Sequence, residues 1–266
     1  MKIAIIGVGN LGYSITLGIL SEDQIKFDSL YLSKRNISSL SSFENIPNVF
    51  ITSDNKEAVK NSDVIILAVQ PNQLDGVLKS IKTEIDSKKH TIISVVTGKT
   101  INQIEKILPK NVAIIRSMPN TAISVSQSMT CLSANKKGIE NIKYAKTIFN
   151  SLGTTMCIEE ELMQAATVIC ASGIAFWMRL IRATTQGAIQ LGFDADVAQE
   201  LSMQTCLGAA NLLVKTESHP EQEIDKVTTP RGCTISGLNE MEHEGLSSAL
   251  IKGLMKSYEK ISEIKK

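Results

Sequence analysis

The chain has 266 residues, which is long for a single hydrophobic core and favours two domains. Its 28 basic and 27 acidic residues nearly cancel, which argues against a general binder of nucleic acid or of anionic membranes. The five cysteines are odd in number and lack CxxC spacing, and the three histidines lie far apart, so we expect neither a disulfide framework nor a metal site.

The first half of the chain alternates short apolar runs with helix-like stretches. Strands are predicted at residues 2–6, 29–32, 49–51, 63–68, 91–96 and 112–116, with edge strands at 129–132 and 154–158. Helices are predicted between them at residues 11–20, 55–61, 71–85, 101–108 and 141–152. This βαβα order predicts an α/β fold with a Rossmann-type doubly wound parallel sheet.

The pattern changes at the acidic run Glu159-Glu160-Glu161, beyond which the β-rich runs disappear. Helical patterns then cover residues 175–191, 194–215 and 247–264. We therefore place a domain boundary near residue 158, between a Rossmann domain (residues 1–158) and an all-helical domain (residues 159–266). A helical domain of this size is expected to bury apolar surface against a second copy of the chain, which predicts an oligomer.

The location of the protein is predicted from two apolar segments. The run before Gly7 is too short for a signal peptide. The uncharged run from Leu162 to Met178 contains Gln164 and Thr167, and it falls short of the roughly 20 strongly apolar residues that a membrane span needs. We expect this run to be a buried helix, and the protein to be soluble and cytoplasmic with reduced thiols and no membrane partner.

A GxGxxG motif follows the first predicted strand and opens the first predicted helix. Gly7 allows the tight turn, Gly9 lets the backbone approach a pyrophosphate, and Gly12 lets helix and strand pack closely. The backbone N–H groups of this turn, which includes Asn10 and Leu11, favour a diphosphate at the positive helix end. The motif predicts a dinucleotide site, and the alternative is a glycine-rich turn without a ligand.

The second strand ends in Ser33-Lys34-Arg35, where an NAD-selective site usually carries Asp or Glu for the ribose 2′-hydroxyl. A hydroxyl and two cations suit a 2′-phosphate, which a carboxylate would repel. We therefore expect NADPH as cofactor in preference to NADH. The alternative is that Lys34 and Arg35 form an ordinary solvated basic pair.

A loop rich in hydroxyls is predicted from Val227 to Gly237. Small residues there expose backbone N–H groups that can bind a carboxylate, and Thr228, Thr229 and Thr234 add hydroxyl donors. The alternative is a connection between helices whose hydroxyls cap the following helix. Composition does not choose between these two interpretations.

Several segments together resemble the pyrroline-5-carboxylate reductase family, and they span the whole chain. They are Gly7–Gly12, Ala68-Val69-Gln70-Pro71, Arg116–Thr121, Glu217–Pro220, Thr228–Gly237 and Asn239–Leu250. The resemblance implies a Rossmann domain with a helical dimerisation domain, and homodimers that often assemble into decamers. It also implies that NADPH delivers hydride to the C=N carbon of 1-pyrroline-5-carboxylate, giving L-proline in the last step of proline biosynthesis.

The resemblance also implies roles for individual residues of the substrate site. Thr234 would lie beside the imine nitrogen as hydrogen-bond partner or proton relay. The carboxylate site would be lined by Thr229, Gly232 and Cys233. Two acidic residues, Glu160 and Glu217, match positions near the family's substrate region.

The resemblance implies further roles for residues of the predicted Rossmann domain. Ser33 and Arg35 would face the 2′-phosphate, and Asn55 would approach the adenosine ribose. The nicotinamide side would be lined by residues that follow predicted strands, where ligands of such sheets bind. These residues are Ala68, Val69, Pro71, Thr97 and Gly98.

This sequence departs from the family's pattern at three places. Gln70 stands where the family usually has Lys, Ile174 stands where it has Pro, and Arg231 replaces the first residue of a Gly-Gly pair. The departures leave two alternatives open beside the proline-forming reductase. One is a divergent NADPH-dependent reductase of another cyclic imine or of a 2-oxo acid, and the other is a dinucleotide-binding protein without turnover.

Overall fold

The computed structural model describes residues 1–21 and 25–264. Within them the strands are β1 (Lys2–Ile6), β2 (Ser29–Ser33), β3 (Val49–Thr52), β4 (Val64–Leu67), β5 (Thr91–Ser94), β6 (Ala113–Met118), β7 (Ser128–Ala134) and β8 (Gly153–Cys157). The first helices are α1 (Asn10–Ser21), α2 (Asn55–Lys60), α3 (Leu74–Ile81), α4 (Ile101–Glu105), α5 (Lys136–Glu140), α6 (Ile142–Ser151) and α7 (Met163–Ala166). The remaining helices are α8 (Gly173–Gln190), α9 (Ala195–Thr216), α10 (Pro220–Val227), α11 (Cys233–His243) and α12 (Leu246–Ile264).

The eight strands form one sheet in the order β3-β2-β1-β4-β5-β6-β7-β8. Strands β1 to β6 pair in parallel, β7 runs antiparallel to β6, and β8 is parallel to β7. The first six strands have the order of the doubly wound dinucleotide-binding fold, so the predicted fold class is confirmed. The strand order reverses between β1 and β4, and in such sheets this switch point is where a ligand binds, beyond the carboxyl ends of the strands.

The central strands are apolar along their whole length because both faces of the sheet are covered. All four residues of β4 are buried, and β1 divides its side chains between two cores. Ile3 and Ile5 pack with α1 and α6 on one face, whereas Ala4 and Ile6 pack with α3 and α4 on the other. Continuous apolar runs are typical of parallel strands buried on both faces.

Two predicted boundaries are wrong, and both errors lie at the carboxyl edge of the sheet. The helix predicted over residues 71–85 begins only at Leu74, because the Gln73 amide donates to the Gln70 carbonyl (2.9 Å) in a preceding turn. The strand predicted to reach residue 96 ends at Ser94, and one further ladder bond joins Val95 N to Leu67 O (3.0 Å). These shorter elements leave irregular backbone at the edge where parallel sheets bind ligands.

The chain divides into two compact units, and the division differs from the predicted boundary at residue 158. One unit comprises Met1–Ser172 together with the chain from Tyr258 onward, and the other is Gly173–Ser257. Side-chain contacts explain why residues beyond β8 stay with the first unit. The Gln164 amide donates to the Tyr258 carbonyl (2.8 Å) and to the Ser262 hydroxyl (2.6 Å), which ties α7 to the last turns of α12.

The second unit consists of helices joined by short turns, with no strand among its described residues, as predicted, and α8 packs against α9. Its helices expose large apolar side chains, among them Trp177 (59% exposed) and Val214 (76%). The prediction that the run from Leu162 to Met178 is buried is wrong for the isolated chain. By length and composition Glu160–Gln190 is a candidate membrane span, and only 22% of its apolar window is buried.

Candidate dinucleotide and substrate sites

A cavity of about 1070 Å³ opens at the carboxyl edge of the sheet, beside the switch point between β1 and β4. It brings together twelve of the residues predicted for the cofactor. They are Gly7, Gly9, Asn10, Leu11, Ser33, Lys34, Arg35, Asn55, Ala68, Val69, Pro71 and Thr97. The volume exceeds that of most small-ligand sites and suits an extended dinucleotide.

The glycine turn has a separate physical requirement at each glycine. Gly7 adopts φ +92°, and a Cβ there would lie 2.5 Å from Val69 Cγ1. A Cβ on Gly12 would lie 2.7 Å from the Gly7 carbonyl oxygen, so this glycine sets the close packing of α1 rather than lining the cavity. A Cβ on Gly9 would meet no atom within 4 Å. Gly9 is therefore not required by the protein's own packing, and the space beside it is free for a pyrophosphate.

The end of β2 carries the groups predicted for the ribose phosphate. The Ser33 hydroxyl donates to Asn55 Oδ1 (2.6 Å), which links β2 to the first residue of α2. Lys34 is half-buried and Arg35 is exposed, and both line the cavity. Among the described residues that line it, none is Asp or Glu. The rim is therefore cationic where a 2′-phosphate would lie.

Several lining residues were not predicted from the sequence. They are Ile6, Asn36, Gln73, Gly76, Val77, Val95 and Val96, beside the departure Gln70. Three of them follow helical spacing, since Gly76 and Val77 lie three and four residues after Gln73, and this spacing was the available signal. Conversely, Gly98 was predicted to line the nicotinamide side, but it is buried, with φ +79°, and is not among the residues that line the cavity.

Glu160, which was predicted to contact the substrate, is hydrogen-bonded to other residues of the protein. Its Oε1 accepts hydrogen bonds from Arg116 Nη1 (2.9 Å) and from the backbone N–H of Ile101 (2.7 Å). Arg116 is 5% exposed, so the cost of burying its charge is offset by pairing with this carboxylate. The second bond holds the first residue of α4, three residues after Gly98. The contacts of Glu160 thus join the segment after β8 to the segment that leads from the cavity into α4.

The hydroxyl-rich loop is shorter than predicted. Only residues 228–232 are irregular, and α11 begins at Cys233. Gly232 N donates to Thr229 O (2.9 Å), which closes a β-turn with Pro230 second and Arg231 third. Arg231 has φ +62°. A type II turn requires this left-handed conformation at its third residue, where glycine is the usual choice. A Cβ on Gly232 would lie 2.6 Å from Thr229 Oγ1 and 3.0 Å from Thr229 O, so a larger residue would force this turn to shift.

Cys233 and Thr234 therefore lie in the first turn of α11, not in a loop. The N-cap residue is Gly232 and makes no side-chain cap, so the alternative interpretation, in which the hydroxyls cap this helix, is not observed. The first N–H groups of a helix have no intrahelical acceptor, and here they are available to an anion. The remaining predicted substrate residue, Glu217, is exposed with φ +54° at the end of α9.

The chain matches two described families. Residues 160–264 match pyrroline-5-carboxylate reductase dimerisation, and this match begins close to the predicted domain boundary. Residues 2–98 match NADP oxidoreductase, coenzyme F420-dependent.

Curated relatives that match nearly the whole chain share the name pyrroline-5-carboxylate reductase. Pyrroline-5-carboxylate reductase 1 of Dictyostelium discoideum is 44% identical over 98% of this chain, although the chain spans only 49% of that relative. Pyrroline-5-carboxylate reductase of Synechocystis is 34% identical over 100% of this chain and 99% of the relative.

Solved structures agree with the curated relatives. Plasmodium falciparum pyrroline carboxylate reductase with NADP bound has a TM-score of 0.89 at 25% identity, covering 100% of this chain and 98% of that one. A pyrroline-5-carboxylate reductase of Coxiella burnetii has a TM-score of 0.88 at 30% identity with the same coverage.

The different surroundings of Gly9 and Gly12 predict different effects of an added methyl group. Gly9→Ala should weaken NADPH binding at least about tenfold, or about 1.4 kcal/mol, and leave the melting temperature unchanged, because the methyl group enters only the cavity. Gly12→Ala is the matched variant, and it should lower both the NADPH affinity and the melting temperature. Fluorescence titration and thermal unfolding measure the two effects. Unchanged NADPH affinity in Gly9→Ala would remove the pyrophosphate from this turn.

The contacts of Glu160 predict a loss of stability on its removal. Glu160→Ala should lower the free energy of unfolding by roughly 2 kcal/mol, because it leaves the buried Arg116 charge unpaired while Glu160 itself is only partly buried. The exposed neighbour provides the control, since Glu161→Ala should have an effect within about 0.5 kcal/mol. Urea unfolding measures both variants. If Glu160→Ala raised only the KM for the imine and left stability intact, Glu160 would be a substrate ligand.

Proposed function

The chain belongs to the pyrroline-5-carboxylate reductase family, and we infer that it is an oxidoreductase that reduces 1-pyrroline-5-carboxylate to proline with NADP(H). The observation that carries this inference is the agreement over the full chain between relatives of one name. The cavity at the glycine turn supports it, because its shape and charge fit a dinucleotide. The reaction belongs to proline biosynthesis.

We propose that NADPH is preferred to NADH. The support is the cationic rim formed by Lys34 and Arg35 and the lack of a carboxylate among the described lining residues. An acidic side chain there would hydrogen-bond a ribose hydroxyl and repel a phosphate. Ser33, held by Asn55, adds a hydroxyl beside these cations.

The chemistry of imine reduction assigns roles to residues of the helical unit. NADPH, when bound, supplies the hydride. We propose that the substrate carboxylate is held by the open N–H groups at the start of α11, at Cys233 and Thr234, with Thr229 and Gly232 shaping the turn before them. The Thr234 hydroxyl would hydrogen-bond the imine nitrogen, whose protonated form accepts hydride most readily. Glu217 stays a proposed contact of this region.

The helical unit is proposed to form a homodimer. The dimerisation match covers residues 160–264, and the exposed apolar side chains of α8 and α9 would be buried in such an interface. Assembly into a decamer and a cytoplasmic location stay predictions.

Turnover with the proposed substrate tests the function directly. Purified protein is mixed with NADPH and 1-pyrroline-5-carboxylate, and the loss of nicotinamide absorbance is followed while proline is quantified. Because Gln70 and Arg231 depart from the family pattern, the assay is repeated with a six-membered cyclic imine and with a 2-oxo acid. Faster reduction of either compound would favour a divergent reductase. NADPH binding without any turnover would favour a non-catalytic protein.

The cationic rim predicts that Arg35 selects between the two cofactors. Arg35→Ala should weaken NADPH binding about tenfold, or about 1.4 kcal/mol, and leave NADH binding unchanged, because only NADPH carries the 2′-phosphate. Lys146→Ala, an exposed cation on α6 away from the cavity, is the control for net charge. Competitive titration with both cofactors gives the ratio of affinities. An unchanged ratio in Arg35→Ala would contradict this role.

The proposed role of Thr234 predicts a loss of kcat rather than of cofactor affinity. Thr234→Ala should lower kcat about 100-fold, because the hydrogen bond to the imine nitrogen matters most in the transition state. Ser236→Ala is the matched control, since two residues further along α11 its side chain lies on the opposite face of the helix. Steady-state kinetics and NADPH titration separate the two effects. Equal losses in kcat and in NADPH affinity would contradict the role.

A further inference from the structure

Two cysteines that no predicted function uses lie side by side in the first unit. Cys131 is on β7 and Cys170 is on a π-helical turn, Thr167–Ser172, and their Sγ atoms are 3.8 Å apart. The sequence separates them by 39 residues, so the fold alone brings them together. Among the five cysteines, which are all described, they form the one pair within hydrogen-bonding distance through sulfur.

The surroundings of the two thiols differ in a way that suits sequential oxidation. Cys131 is buried, at 4% exposure, in a small apolar cluster with Met118 and Met163, whereas Cys170 is half-buried and reachable from solvent. The hydrogen bond from the Cys131 thiol lowers the pKa of Cys170 to about 7. The same contact, with burial, raises the pKa of Cys131. Cys170 is therefore the thiolate that meets an oxidant first, and Cys131 is the neighbouring thiol that can resolve the product.

A disulfide between the two cysteines needs a small movement of their sulfur atoms. A bond requires the sulfurs to close from 3.8 Å to about 2.05 Å. Cys170 lies on a π-helical turn, whose wider backbone is less regular than an α-helix and is often found at functional sites. The Cys170 carbonyl accepts a hydrogen bond from Asn120 Nδ2 (2.9 Å), which ties this turn to the segment that follows β6.

We propose that Cys131 and Cys170 are a redox modification site that forms a reversible intramolecular disulfide with a peroxide oxidant. The Cys170 thiolate attacks one peroxide oxygen, the O–O bond breaks, and a sulfenic acid and hydroxide form. Cys131 sulfur then attacks Cys170 sulfur, so that the S–S bond forms and the S–O bond breaks. The leaving hydroxide takes the Cys131 proton. Overall the two thiols lose two electrons and hydrogen peroxide is reduced to two water molecules. A dithiol reductant reverses the bond by exchange.

Peptide mapping of the full-length protein tests the site. The protein is treated with hydrogen peroxide, alkylated, digested without reduction and analysed by mass spectrometry. We expect a linked peptide pair that joins Cys131 to Cys170, an intact mass lower by two hydrogen atoms, and full reversal by dithiothreitol. Cys157→Ser is the matched control, because Cys157 is exposed on β8 and lies outside the pair, and it should leave the link unchanged. Cys170→Ser should abolish the link.

A second variant tests the order of events. In Cys131→Ser the resolving sulfur is missing while a hydroxyl donor beside Cys170 is kept, so a sulfenic acid should accumulate on Cys170 and be trapped by dimedone, with at least about tenfold more label than in the parent protein. Three results would overturn the proposal. They are a linked peptide between other cysteines, oxygen addition on Cys170 of the parent protein without a link, and equal dimedone labelling of parent and variant.

Discussion

The cofactor cavity depends on how closely α1 approaches the end of β1. Gly12 lies against the Gly7 carbonyl, and Gly7 needs a left-handed backbone beside Val69, so neither position admits a side chain without movement of the backbone. This contact fixes the direction in which the first N–H groups of α1 point. It also aligns the ends of β1, β2 and β4 around one opening, where the cationic residues after β2 face the same space as the apolar residues after β4.

A second constraint extends the sheet unit beyond its last strand. The Arg116 guanidinium is buried on β6 and needs a carboxylate, and Glu160 supplies it from the segment after β8. Because Glu160 also accepts the amide that begins α4, one acidic side chain connects three separate parts of the chain. This network, together with the bonds of Gln164 to α12, explains why the compact unit does not end where the strands end.

The fold was predictable from the sequence, whereas parts of the site were not. Apolar runs such as Val64–Leu67 are uninterrupted, and the glycine motif fixes its own local geometry, so the strands and the turn followed from pattern. The ion pair between Glu160 and Arg116 could not be predicted from the sequence, because the two residues are 44 positions apart. One acidic residue in a run of three also carries no distinctive signal. The loop predicted over residues 227–237 was too long, since Ser, Thr and Gly are favoured at the N-caps of helices as well as in loops. Cys131 and Cys170 share no spacing that sequence alone would reveal.

The turn before α11 has a consequence for the order of the unliganded chain. Arg231 holds a left-handed conformation that costs a non-glycine residue about 1–2 kcal/mol. Pro230 beside it has a fixed φ, and neither residue has the conformational freedom of glycine in the unfolded chain. The segment is therefore strained in the folded state, but it loses less conformational entropy when it becomes ordered. A turn of this composition is already shaped without a ligand, so an anion bound there would spend little of its binding free energy on organising it.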